Sequence, residues 1–182
     1  SSITGGSIKG YLEMRDTEVQ NLKDKLDRLA AGFVQEFNKI HQQGFGIDGS
    51  TGNNFFKPLT STVVTNVNNT GSATLAASNG DPSNISVDKY EITVTGSNSF
   101  SLLNLTTGAS AGTFNFTPGS TFSLANGFAV TISGTPVAGD KFTLSVSENA
   151  SRNLSVSSGV SSNSNKIAAG LTSNTDGANA LA

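Results

Sequence analysis

The sequence predicts an α+β protein. A long amphipathic helix, with the start of a return helix, carries an inserted all-β domain of sandwich or barrel type. Three observations predict this. An apolar stripe of helical period runs through the first forty residues. From about residue 61, apolar side chains alternate with Thr, Ser and Asn at the period of a strand. The composition, 35% hydrophobic, 13% charged and 20 glycines, suits short neutral strands joined by turns. The predicted division is 1–45 for a helical segment of a bundle or coiled-coil domain and 46–60 for a glycine-rich connector. An all-β outer domain follows at 61–156. Residues 157–182 form a polar spacer and the start of the return helical segment.

The helix is predicted over 7–43, with Ser7 as N-cap and Gly44 and Gly46 beyond its end; no proline interrupts it. Its apolar residues are Ile8, Leu12, Val19, Leu22, Leu26, Leu29, Phe33, Phe37 and Ile40. From Val19 the spacing alternates between three and four, with one added four-residue step at Phe33–Phe37, a local stutter. A bundle helix and a short coiled coil both fit so short a repeat. Half of the chain's 24 charged residues lie between Lys9 and Lys39, mostly off this stripe. At 1.5 Å per residue such a helix is roughly 55 Å long. A helix of this kind owes its stability mainly to packing. The described pattern contains no second long helix. The residues assigned to helix packing and assembly (Leu12, Val19, Leu22, Leu26, Leu29, Phe33, Phe37 and Ile40) therefore demand helices from flanking sequence or from other subunits.

After the helix, Asp48-Gly49 and Gly52-Asn53 signal turns, and Phe55 and Phe56 are expected to anchor the connector against a core. In the β domain, alternation is clear at Tyr90, Ile92 and Val94 and again at Phe142, Leu144 and Val146. A hairpin is expected between Phe122 and Ile132. A two-residue Asn126-Gly127 loop would set Phe122 and Leu124 on the face opposite Phe128 and Val130. A three-residue loop, with Gly127 left-handed, pairs Leu124 with Phe128 and Phe122 with Val130 and puts all four on one side. The buried face selects the three-residue loop. Ile167-Ala168-Ala169 and the stretch 178–182 are expected to begin the return helix.

The chemistry-bearing residues assemble into no catalytic, cofactor-binding or metal site. His41 is the single histidine and cysteine is absent, so a His/Cys metal site is excluded. His41 reads as a terminal-turn residue favourable to the helix dipole. Asp48-Gly49-Ser50-Thr51-Gly52 opens like a calcium loop, but position 59, where the closing carboxylate belongs, is Leu59; a turn is the reading. Glu13 and Asp16 sit among Lys and Arg on a charged helix face. Tyr90, Phe100, Phe114 and Phe116 read as core rather than as a sugar-binding strip, and Asn104-Leu105-Thr106 as a chance triplet in a chain rich in these residues. A net charge of −2 without a basic patch argues against nucleic-acid or anionic-membrane partners, and no apolar run is long enough to span a bilayer. The N-terminus lacks the pattern of a signal peptide and an initiator Met, as expected of a piece of a longer chain. The protein is expected not to be an enzyme.

Gly5-Gly6, Arg15-Asp16, Leu26-Asp27 with Leu29-Ala30, Asn38, His41, Gly44, Asp48-Gly49, Gly52 and Phe55-Phe56 resemble, in order, the central helix and following connector of the FlgK family of flagellar hook-associated proteins. Gly134, Pro136, Gly139-Asp140 and Phe142 resemble a pattern shared by several flagellar axial proteins; Ile167-Ala168-Ala169 and Asn179-Ala180-Leu181 look like the family's return to helix. Residues 60–134 carry no match. The resemblance implies a structural subunit of the extracellular bacterial flagellum, joining hook to filament and exported through the type III apparatus without a cleaved signal peptide. It implies self-association of the full-length protein, with the hook protein and a filament-side hook-associated protein as partners and no cofactor. The terminal helices of the family are missing, so this piece alone is expected to stay monomeric. The rival readings are a secreted adhesin or phage-fibre-like binding module, favoured by the Ser/Thr/Asn-rich strands, and a secreted hydrolase, which would need a cleft with two perturbed carboxylates.

Overall fold

A computed structural model describes residues 5–172. The long helix is continuous but not uniform. It consists of α1 (Gly6–Glu13), a π-helical turn (Met14–Glu18) and α2 (Val19–His41). In the π turn the Val19 N–H donates to the Met14 carbonyl, five residues back. The wider turn shifts the phase of everything before it relative to α2. The helix starts one residue earlier than predicted. Gly5 is the N-cap and offers no side chain, so Ser7 lies inside the first turn and caps nothing. It also ends earlier, at His41, because the Gln43 and Gly44 amides tighten onto the Ile40 and His41 carbonyls at 3.1 and 3.2 Å.

Eight strands follow among the described residues: β1 (Thr62–Thr65), β2 (Thr74–Asn79), β3 (Tyr90–Gly96), β4 (Ser99–Asn104), β5 (Ser110–Asn115), β6 (Thr121–Ser123), β7 (Phe128–Ser133) and β8 (Lys141–Ser145). They form a five-stranded sheet in the order β1-β8-β3-β4-β5 and a three-stranded sheet in the order β2-β7-β6, antiparallel throughout. The two sheets share one core, so of the two expected forms the domain is a sandwich. Ile92, Val94, Phe100, Phe142 and Leu144 of the larger sheet pack with Leu75, Phe128, Val130 and Ile132 of the smaller. Tyr90, Phe100 and Phe116 are buried in this core and Phe114 packs against it, which disposes of the sugar-binding strip.

The β6–β7 hairpin has the three-residue loop. Phe122 pairs with Val130, and the Leu124 amide donates to the Phe128 carbonyl at 2.7 Å. Gly127 has φ +86°. At the opposite end, the 2%-exposed Asp140 fastens two loops. Its Oδ1 accepts from the Thr70 and Gly71 amides at 2.9 and 3.1 Å, and its Oδ2 from the Val137 amide at 3.0 Å. The Val137 hydrogen bond comes first in holding this carboxyl below the usual range; burial opposes it, and the Gly71 and Thr70 amides add to the lowering.

The chain leaves and re-enters the sandwich beside itself. Connector residue Phe56 bridges Val156, and Phe45 bridges Gly170, both antiparallel. On the returning segment α3 (Ala150–Asn153) precedes the Val156 bridge, and α4 (Ser158–Ser162) and a 3-10 turn (Ser164–Lys166) lie between the two bridges. Ile167-Ala168-Ala169 is extended rather than the expected start of a return helix. The amides a helix would use internally are taken elsewhere: Ala168 N–H bonds His41 and Ala169 N–H bonds the Phe45 carbonyl. The expected helical residues 178–182, with Asn179-Ala180-Leu181, lie outside the described residues.

A Cβ at position 127 would stand 2.6 Å from the Cα of Ile85 in addition to straining a positive φ. Gly127→Ala is therefore expected to destabilise the sandwich by upward of about 1 kcal/mol in urea unfolding, with the same denaturant slope.

Candidate assembly surface on the long helix

Two heptad stripes run side by side along α2. The predicted stripe holds Leu22, Leu26, Leu29, Phe33, Phe37 and Ile40. One residue further on at almost every step lies a second stripe: Asp27, Ala31, Val34, Asn38 and His41, spaced four, three, four, three. The offset of one residue rotates it by roughly 100°. The second stripe comprises the buried residues of α2; the first is exposed.

The buried stripe grips irregular backbone. Asn38 makes a reciprocal pair with Phe56: its Nδ2 donates to the Phe56 carbonyl at 3.0 Å and its Oδ1 accepts from the Phe56 amide at 2.8 Å. Asp27, 3% exposed, accepts from the amides of Asn149 and Ser151 at 3.2 and 2.9 Å and from the Ser151 hydroxyl. It thereby ties the start of α3 to the helix. Burial works to raise the Asp27 pKa. The hydroxyl and amide of Ser151, the charge of Lys23 and the amide of Asn149 outweigh it, and the carboxyl is held below the usual range. Ala31 and Val34 supply the apolar contact between these polar grips.

His41 bridges the two connectors. Its Nδ1 lies 2.8 Å from the Asn53 carbonyl, and its Nε2 accepts from the Ala168 amide at 2.9 Å. A carbonyl only accepts and an amide N–H only donates, so the imidazole carries its proton on Nδ1 and is neutral. This corrects the helix-dipole reading, which needs an imidazolium. The Asp48 loop is the turn the sequence indicates: Asp48 Oδ1 accepts from the amide and hydroxyl of Ser50. No group of three or more potential metal ligands occurs among the described residues.

A third stripe meets the sandwich. Gln35 Nε2 donates to the Ile85 carbonyl at 2.8 Å, Arg28 pairs with Asp88 at 3.5 Å, and Asp24 with Lys89 at 3.1 Å. Lys89 also reaches Glu148 at 3.4 Å, beside an open cleft of about 480 Å³. These half-exposed pairs orient the helix more than they stabilise it.

The predicted assembly residues are left uncovered. Val19, Leu22, Leu26, Leu29 and Ile40 are all more than half exposed, Leu22 and Leu29 by 68 and 70%. Leu12 is half-buried on the far side of the π turn, where Ile8, Tyr11 and Met14 are exposed. Phe33 and Phe37 border both stripes, and Phe55 and Phe56 reach them there. Phe37 lies 5.0 and 5.1 Å from Phe55 and Phe56, and Phe33 lies 5.3 Å from Phe56, between ring centroids. The two connector phenylalanines thus anchor on the helix, not in the sandwich core. Sequence reading missed the roles of Asp27, Ala31, Val34 and Asn38. Their 4-3-4 spacing was the available signal, masked because two of the side chains are polar.

The helix thus has one stripe committed to its own connectors and one apolar stripe open, and the β sandwich is held between paired connectors. Residues 1–56 match the family described as the flagellar hook-associated protein FlgK helical domain. The chain is 32% identical over 152 residues, 83% of its length, to flagellar hook-associated protein 1 of Escherichia coli. It is 30% identical over 92 residues, 50% of its length, to that of Salmonella typhimurium. These matches span 27% and 17% of the relatives' own lengths. The fold is similar to the flagellar hook junction protein FlgK from Burkholderia pseudomallei, with a TM-score of 0.67 and 31% identity, covering 91% of this chain and 29% of that one.

Because the folded Asp27 carboxyl titrates below its unfolded value, its contribution is present above about pH 4 and is lost as pH falls through the folded pKa. Asp27→Asn is expected to lower stability at pH 7 by about 2 kcal/mol and to flatten the loss of stability on going to pH 3, measured by urea unfolding at both pH values.

Proposed function

We propose that the chain is the helix and outer-domain portion of a structural subunit that joins hook to filament in the bacterial flagellum. Leu12, Val19, Leu22, Leu26, Leu29, Phe33, Phe37 and Ile40 pack against helices from flanking sequence of the same protein and from neighbouring copies. The sandwich, within 61–156, forms the outer wall, and the connectors at 46–60 and after 157 set its angle. The hook protein and a filament-side hook-associated protein are the partners at the two faces of the junction. The subunit turns nothing over, needs no cofactor, and works outside the cell after export without a cleaved signal peptide. The 182-residue chain on its own is monomeric.

One observation carries this reading: a heptad-spaced apolar stripe, uncovered by the chain's own fold, lies on the segment that matches the FlgK helical-domain family. Burying each such side chain contributes about 1.5–3 kcal/mol relative to leaving it in water. The stripe is thus a strong adhesive once partner helices are present.

Electron microscopy of cells lacking the full-length gene tests the reading. Hooks without filaments, with flagellin in the medium, are expected; normal filaments would refute it. The stripe is tested separately. Leu26→Asp with Leu29→Asp is expected to leave the stability of this chain within about 0.5 kcal/mol, as exposed sites do, yet to prevent the full-length protein from restoring filaments.

A further inference from the structure

We propose that His41 is a proton-operated latch on the segment that leaves the outer domain. The inference is independent of the junction role. His41 is buried at the end of α2 and joins three pieces of chain: the helix, the outgoing connector at Asn53 and the returning segment at Ala168. Both of its partners are backbone groups with fixed polarity. Asn53 presents a carbonyl and Ala168 an N–H, so only the neutral ring, protonated on Nδ1, fits. A second proton enters on Nε2. It points at the Ala168 N–H, replaces an attraction with a donor-to-donor clash, and leaves that amide without an acceptor.

Among the described residues the ring is bordered by aromatic rings and has no ion-pair partner. The ring contacts Phe37, whose centroid is 6.5 Å away, and Phe55, at 5.5 Å. The charged groups nearest to it along α2 are Glu36 and Lys39; the outgoing connector carries Asp48 and Lys57, and the return carries Arg152 and Lys166. Among the described residues none forms an ion pair with His41, and Asp48 is engaged by Ser50 and, at 3.4 Å, by Asn163. The helix C-terminus favours the cation, but only if the ring moves or the return segment yields.

The return segment is the part able to yield. Residues 167–170 have no regular structure of their own. Beyond His41 they are held at one flank by the Ile167 amide, which donates to the Ser164 carbonyl at 3.0 Å, and at the other by Phe45, whose amide donates to the Gly170 carbonyl at 2.8 Å and whose carbonyl accepts from Ala169 at 2.9 Å. Ala168 also sits where Gly44 leaves room; a Cβ at 44 would be 2.7 Å from the Ala168 Cβ. Losing the His41 acceptor therefore frees the centre of the segment while its flanks stay tethered. The neck at Phe56–Val156, fastened by Asn38, has no titratable member and stays closed.

The test is a pH series from 8 to 4.5 on the isotope-labelled 182-residue chain, read by NMR. Imidazole nitrogen shifts are expected to give the Nδ1–H tautomer at pH 8. As the ring titrates, hydrogen-exchange protection of the Ala168 amide, corrected for intrinsic pH dependence, is expected to fall by about tenfold or more. The Lys57 amide, bonded to the Ser155 carbonyl at 2.9 Å, is expected to keep its protection. His41→Phe retains an aromatic ring without an acceptor and should show the low Ala168 protection at every pH. An Nε2–H tautomer, a ring that stays neutral to pH 4.5, or an Ala168 amide unchanged across the titration would each overturn the latch.

Discussion

One helix has to serve two partners, and the rest of the structure follows from how its surface is divided. A stripe of side chains at heptad spacing covers one line along a helix and leaves the adjacent line free. In α2 the line through Asp27, Ala31, Val34, Asn38 and His41 is spent on the chain's own connectors and α3. The line through Leu22, Leu26, Leu29 and Ile40 is left outside. The choice of side chains separates the two. Leucines bind any apolar helix that presents a matching groove. Asn, Asp and His bind only where a particular carbonyl or amide faces them. The committed face is therefore specific and the free face adhesive.

Polar side chains are on the inner stripe because what they hold is not a helix or a sheet. Irregular connectors carry backbone donors and acceptors that secondary structure does not satisfy, and burying those unpaired is costly. Asn38 satisfies both groups of Phe56, Asp27 takes the amides of Asn149 and Ser151, and His41 links Asn53 to Ala168. Asp140 repeats the device inside the sandwich with Thr70, Gly71 and Val137. These residues carried the family resemblance along with the glycines.

Much of this was legible in advance, and the limits have physical causes. The exposed stripe was readable because apolar periodicity survives whether or not a partner is present. The β6–β7 hairpin was readable because only one loop length puts Phe122, Leu124, Phe128 and Val130 together. The inner stripe was not. An Asp or Asn is ordinarily a solvent residue, and its burial depends on backbone groups more than ten residues away in sequence. Ile167-Ala168-Ala169 has good local helix formers, yet tertiary bonds to Phe45 and His41 take its amides. The π turn at Met14–Glu18 has no sequence marker comparable to a proline.

The π turn has a consequence for the free face. Within α2 the apolar line is continuous apart from the stutter at Phe33–Phe37, so one partner helix can follow it from Val19 to Ile40. Before Met14 the phase is shifted, and Tyr11 and Met14 are exposed together with Ile8. A partner that follows the line through α2 meets a rotated surface beyond the turn. It must bend with the helix or give way to a second partner there. The sandwich makes no ion pair or hydrogen bond with this N-terminal part among the described residues; those it makes with the helix run from Lys23 to Gln35. The helix thus divides along its length as well as around its girth: the half beside the sandwich has one face occupied, and the half beyond it is open on every side to the partners that complete the fold.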